Sequence, residues 1–153
     1  TTDRERNIIT SLDLDPGSQE EHNHKLQRKY KEIQKNEVQF EKILCDDAEY
    51  LMVAFGSSAR IAQKAIKMAR EEGIKIGLLR PITLYPFPEE EIKNLTGQMK
   101  HILSLEMNTG QMIEDIRLAV LGKTKVSHFG RMGGIIPTPN EVVDHIKNKI
   151  IGG

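Results

Sequence analysis

At 153 residues, 38% of them hydrophobic, the chain is long enough for one compact domain with a core and too short for two full domains. Lys plus Arg and Asp plus Glu each number 22, so a net charge of zero excludes any overall electrostatic pull toward nucleic acid or an anionic membrane. Cys45 is the single cysteine, which excludes an internal disulfide and a Cys-rich zinc or iron–sulfur site built by this chain alone. No apolar run approaches the roughly 20 residues that cross a bilayer, and Thr1-Thr2-Asp3-Arg4-Glu5-Arg6 lacks the basic-then-apolar order of a signal peptide. A cytoplasmic setting is expected, and the threonine start points to a chain that begins inside a longer polypeptide.

Residues 1–47 are polar and poor in aliphatics, and read as a linker carrying a helix; residues 48–153 read as an α/β domain, with the boundary near Asp46-Asp47. Asp15-Pro16-Gly17-Ser18 is a turn signal, and residues 19–36 follow as a charged helix with Leu26, Tyr30 and Ile33 as a thin apolar stripe. Such a helix needs a neighbour to lean on. Residues 49–55 read as a strand ending at Gly56-Ser57-Ser58, and Ile61, Ala62, Ala65, Ile66 and Ala69 continue at helical spacing to Gly73. Residues 74–79 read as a second strand that Arg80-Pro81 must leave, because proline donates no ladder hydrogen bond. A proline-stiffened loop through Tyr85 and Phe87 precedes a short helix over 89–95 with acids in its first turn. Residues 101–106 make a third strand, 110–121 a helix, 125–129 a fourth strand closed by Gly130, and 140–151 a terminal helix. Short apolar runs alternating with helices imply a parallel sheet covered on both faces.

Ligands in open α/β sheets bind at the carboxyl ends of strands, which here carry Gly56-Ser57-Ser58, Arg80-Pro81, Glu106-Met107-Asn108 and Gly130-Arg131. Ser57 or Ser58 is expected to cap the first helix, with an anion cradle as the less favoured reading, since no dinucleotide or phosphate-loop glycine pattern is present. Arg80 and Arg131 admit two readings, a joint clamp on a carboxylate or phosphate and an interdomain ion pair with a residue such as Glu106. Glu106 is expected to be a structural carboxylate accepting backbone N–H bonds rather than a general base. His22 and His24 lie two apart on a helix, wrong for a metal pair, and His101, His128 and His145 are isolated in sequence. The Tyr85 and Phe87 rings fit an exposed knob and core packing equally. Beside Asp46 and Asp47, Cys45 is a poor nucleophile.

Four stretches, Ala54-Phe55-Gly56-Ser57-Ser58-Ala59-Arg60, Leu79-Arg80-Pro81-Ile82-Thr83-Leu84-Tyr85-Pro86-Phe87-Pro88, Glu106-Met107-Asn108-Thr109-Gly110-Gln111 and Gly130-Arg131-Met132-Gly133-Gly134, resemble in order the alpha subunits of 2-oxoacid:ferredoxin oxidoreductases. The resemblance covers residues 48–151 well, and 8–36 weakly through the helix around Lys25-Leu26-Gln27-Arg28-Lys29, which is similar to the family's link from a preceding domain. It implies a three-layer fold similar to the carboxy-terminal domain of transketolases, a mainly parallel five-stranded sheet with one antiparallel edge strand and helices on both faces. The fifth strand would come from residues 8–12 or 38–44. The family's whole enzyme converts a 2-oxoacid and coenzyme A to acyl-CoA and CO2, passing electrons through iron–sulfur clusters to ferredoxin. Its thiamine diphosphate and Mg2+ are gripped by other domains and by a beta subunit, and this sequence has neither the Gly-Asp-Gly signature nor a cysteine cluster. No catalytic, cofactor or metal residue is therefore assigned. By position Ser57, Ser58, Arg80, Thr83, Glu106, Asn108, Gln111 and Arg131 would face neighbouring domains or an anion. The expected partners are other domains of the same subunit, the beta and further subunits, and ferredoxin for the whole enzyme, with no nucleic acid and no membrane. A small-ligand regulatory domain binding an anion or coenzyme A, and the terminal domain of another thiamine enzyme, stand as the alternatives.

Overall fold

Asp15 opens the first helix, its carboxylate accepting the Ser18 N–H at 2.8 Å while Pro16 takes the first helical position. The segment read as a turn is thus the start of α1 (Pro16–Asn36), none of whose residues is buried. The computed structural model describes residues 3, 6, 8, 12 and 14–152, in two units, Thr1–Asn36 and Glu37–Gly153. The second unit begins upstream of Asp46-Asp47 because a strand read there as one of two candidates belongs to its sheet. That strand is β1 (Phe40–Ile43); of the other candidate, residues 9–11 lie outside the described residues.

The sheet continues with β2 (Tyr50–Val53), β3 (Ile76–Pro81), β4 (His101–Glu106) and β5 (Lys125–Gly130), in the spatial order β1-β3-β2-β4-β5. Only β1 is antiparallel, paired to β3 with Glu41 opposite Arg80. The chain steps from β2 to β3 in one direction through α2 (Gly56–Glu71), then reverses past β2 to β4 and β5 through α3 (Glu89–Thr96) and α4 (Met112–Val120). Because crossovers keep one hand, that reversal puts α2 and α3/α4 on opposite faces, and the crevice between β2 and β4 is a topological switch point.

Strand alternation divides the core accordingly. Met52, Ala54, Leu103 and Leu105 pack with α2 and α5 (Pro139–His145), whereas Leu51, Val53 and Ile102 pack with α3 and α4. The alanine face of α2, including Ala59, Ala62, Ala65 and Ala69, is buried. Arg70 on its last turn ties the far end together, donating to Ile76 O at 2.8 Å and Leu44 O at 2.7 Å and pairing with Asp47. Cys45 is buried below, and burial first, then the Asp46 charge, raises its thiol pKa against the lowering effect of its backbone bonds and Lys42.

Two expectations are corrected. The second strand runs on through Arg80 and Pro81: Ile82 N–H donates to Gln39 O at 2.9 Å, so Pro81, opposite Phe40, occupies a non-hydrogen-bonded position on the β1 side, and β2 has already ended opposite Leu79. The terminal helix starts earlier, at Pro139, on a capping box in which Glu141 N–H donates to Thr138 Oγ1 at 3.2 Å and Thr138 N–H donates to Glu141 Oε2 at 2.8 Å. It continues into a π-helical turn over Ile146–Ile151.

Leu103, 1% exposed, stands in the middle of the central sheet under α2 and α5. Leu103→Ala should lower unfolding free energy by about 3 kcal/mol in urea denaturation with an unchanged m-value; a loss under about 1 kcal/mol would mean that this core collapses around the gap.

Candidate functional site

At the switch point the period-two alternation of β4 places Ser104 and Glu106 on the face that α4 covers, so a carboxylate arrives with no solvent exposure beneath a helix N-terminus. Glu106 Oε2 accepts the N–H groups of Gln111 at 3.1 Å and Met112 at 2.9 Å, and Oε1 accepts the Ile113 N–H at 3.1 Å and the Ser104 hydroxyl at 2.8 Å. Burial alone would push the carboxyl pKa up. The Met112 N–H, the Ser104 hydroxyl, the Gln111 N–H and the Asn108 side chain together outweigh it and hold the group below the ordinary carboxylate value. Glu106 therefore closes the first turn of α4, as its expected structural role requires, and the helix has no other side-chain cap.

The loop it anchors is shaped by its own side chains. Asn108 Oδ1 accepts the Gly110 N–H at 2.7 Å, an Asx turn that brings Gly110 to φ +107. A Cβ on Gly130, at the end of β5, would sit 2.4 Å from Asn108 O and from the His128 ring, so glycine is required for the loop to lie against the strand. His128 Nε2 is buried and stands 3.9 Å from Glu106 Oε1, beyond hydrogen-bond reach. Above this network Phe55, Leu84, Asn108, Gln111 and Asp115 help to line a cavity of about 150 Å3. Phe55, Leu84 and Asp115 were not singled out from the sequence, because only the strand order brings them beside Glu106.

The other strand-end residues do not converge there. Neither serine caps α2: the cap residue is Phe55, without a side-chain bond, because Gly56 turns at φ +54 and carries the serines into the helix, with Ser58 buried and Ser57 exposed. Arg80 pairs with Glu41 at 2.9 Å, its cross-strand partner on β1, and Arg131 pairs with Glu141 of the α5 capping box. The two arginines thus form two separate ion pairs, neither of them with Glu106. Thr83 Oγ1 accepts the Gln39 N–H at 3.0 Å and donates to Pro86 O at 2.9 Å, closing the loop after β3. The two loop rings divide, with Phe87 packed on the core and Tyr85 60% exposed.

A thiamine diphosphate site does not fit these residues. The cavity is far smaller than that cofactor, and among the described residues no group of three His, Cys, Asp or Glu side chains is placed to hold a metal. Nor, among those residues, is any helix long and apolar enough to cross a membrane.

The architecture is that of a doubly wound, mainly parallel five-stranded sheet with one antiparallel edge strand and a carboxylate capped by a helix N-terminus at its switch point. The pyruvate:ferredoxin oxidoreductase core domain II family matches residues 48–142, and the chain belongs to that family. It is 47% identical over 142 residues to the ketoisovalerate oxidoreductase subunit VorB of Methanothermobacter thermautotrophicus, covering 93% of this chain and 40% of that protein. Against the 2-oxoglutarate synthase subunit KorA of Methanothermobacter marburgensis it is 35% identical over 115 residues, 75% of this chain and 30% of that one. Among solved structures, the 2-oxoglutarate:ferredoxin oxidoreductase from Magnetococcus marinus, with 2-oxoglutarate, coenzyme A and succinyl-CoA bound, superposes with a TM-score of 0.75 at 22% identity, over 89% of this chain and 24% of that one. A split-gene transketolase, an inactive β4 tetramer, gives 0.63 at 18% identity, over 74% and 41%. These two establish the shared fold.

Glu106→Ala should cost about 3 kcal/mol, since it strips three helix N–H groups and a serine of their acceptor. The folded pKa lies below the unfolded one, so the stabilising contribution is complete above the unfolded carboxylate range and is lost as pH falls through the folded value. Urea melts across that acid range should find wild type and variant converging as pH falls; a constant gap would mean that the charge contributes nothing.

Proposed function

We propose that this chain is an assembly domain of the alpha subunit of such an oxidoreductase, joining the other domains of its subunit and holding no catalytic group of its own. The observation that carries this reading is the contrast at the carboxyl ends of the strands. There the polar groups of Glu106, Arg80 and Thr83 are taken up inside the domain, while Ile82, Leu84, Tyr85, Met107, Ile135 and Ile136 stand 40–64% exposed in the loops around them. Apolar side chains gathered around internally satisfied polar groups suit a packing face. The chain spans about 40% of the length of its VorB relatives, which leaves most of such a subunit to cover that face.

The whole enzyme would oxidatively decarboxylate a 2-oxoacid with coenzyme A and pass the electrons to ferredoxin. Thiamine diphosphate, Mg2+ and iron–sulfur clusters would be held by other domains and by the beta and remaining subunits. The 47% identity to a ketoisovalerate oxidoreductase subunit, against 35% to a 2-oxoglutarate one, favours a branched-chain 2-oxoacid as substrate.

The isolated chain should give no 2-oxoacid-dependent dye reduction with coenzyme A and magnesium thiamine diphosphate; turnover would overturn the reading. In the full-length subunit, Leu84→Asp with Tyr85→Asp should abolish co-purification with the other subunits, while the same pair leaves the melting temperature of this chain within a few degrees. Complete assembly of the double variant would sink the packing face.

A further inference from the structure

The opposite end of the sheet has a different chemistry. A cleft of about 400 Å3 opens at the amino ends of β2, β4 and β5, and Lys100, Lys123, Lys125 and Lys149 line it beside Tyr50 and His101. No Asp or Glu lines it among the described residues, in a chain whose acids and bases are equal in number. The lysines arrive from three separate elements: Lys100 at the entry to β4, Lys123 and Lys125 around the turn into β5, and Lys149 from the π-helical turn. Such a widened turn is a frequent device at functional sites.

The walls are fixed. Thr124 Oγ1 donates to Thr96 O at 3.1 Å and holds the turn between Lys123 and Lys125, and His101 Nε2 bonds Ser127 Oγ at 2.7 Å. Glu49 pairs with Lys100 at 2.5 Å, and Lys100 also stands 6.0 Å from the Tyr50 ring centre. Lys123, Lys125 and Lys149 have no ion-pair partner among the described residues. All three are solvent-exposed, and Lys125 stands near enough to His101 that its charge, after burial, helps to depress the pKa of that ring. Holding uncompensated cations together raises the local potential and favours a multiply charged anion. An ammonium group is a point charge with three donors, suited to phosphate oxygens without imposing one orientation.

We propose that this cleft binds a phosphorylated small molecule, its phosphates among Lys123, Lys125 and Lys149 and its organic part against Tyr50 and His101. A cavity of this volume holds a small ligand, and the rings on its wall offer a surface that a flat protein contact would not need. The site lies at the far end of the sheet from the packing face and does not depend on it.

Pyrophosphate and ADP are the probes, titrated into the 15N-labelled chain at low salt. Binding with Kd on the order of 1 mM or tighter, with shifts at 99–101, 123–125 and 149–150, is the expected result. The combined Lys123→Gln, Lys125→Gln and Lys149→Gln variant, checked for an unchanged melting temperature, should bind about tenfold or more weakly. Added NaCl should weaken wild-type binding. No shifts at 10-fold higher ligand, shifts confined to 56–58 at the start of α2, or undiminished affinity in the triple variant would each overturn the proposal.

Discussion

Glu106 brings a charge to a place that no solvent reaches, and the carboxyl end of the domain is organised around the donors that meet it. An isolated buried carboxylate would neutralise itself by taking a proton. Here three consecutive N–H groups at the head of α4 and the Ser104 hydroxyl converge on its two oxygens. They fix where α4 begins, and hence where Met112, Ile113 and Ile116 enter the core. They also fix the approach of the 107–111 loop to β5, where Gly130 leaves room for Asn108 O. One side chain thus couples strand β4, the switch-point loop, helix α4 and the edge strand β5.

The reversal of direction at β2 and β4 gives the domain two unlike ends. At the carboxyl ends the loops after β3, β4 and β5 carry exposed aliphatic residues around the hydrogen-bonded Glu106 carboxylate. At the amino ends the returns are tight and lysine-rich; Glu49 pairs there with Lys100 and, at 3.8 Å, with Lys75, and Asp47 pairs with Arg70. A net charge of zero conceals this division, because the acids are spent on helix starts such as Glu89, Glu90 and Glu91 and on ion pairs elsewhere.

Most of the sheet was legible in the sequence because the inner strands are buried on both faces and read as unbroken apolar runs. β1 was harder, since Phe40-Glu41-Lys42-Ile43 is an edge strand with two exposed charges in four residues. The extension of β3 through Pro81 was not legible at all, because it depends on where β2 stops and on which side β1 pairs. Glu106 was readable as a structural acid from its place at a strand end before a helix. Its helper Ser104 could have been found from the two-residue spacing on one strand face, and the α5 cap from Thr138-Pro139-Asn140-Glu141. The partners of Arg80 and Arg131 were hidden, as one is set by antiparallel register and the other by the fold of the 131–141 loop.

That last point bears on what this domain can contribute to an anionic cofactor. β3 and β5 are separated by two strands, so Arg80 and Arg131 start roughly 14 Å apart at three interstrand spacings, and each is held by a carboxylate on its own side. Recruiting either to a diphosphate would break an ion pair and leave Glu41 or Glu141 facing the same negative ligand. The Glu106 charge, in the crevice between them, would repel it further. The switch point of a doubly wound sheet is the usual place to bind an anion, but here a carboxylate already occupies the helix N-terminus that would have done so. A fold of the ligand-binding type has in this way had its customary site filled by its own side chain. In the proposed assembly its exposed apolar loops would meet protein, and the cations without an ion-pair partner among the described residues lie at the other end of the sheet.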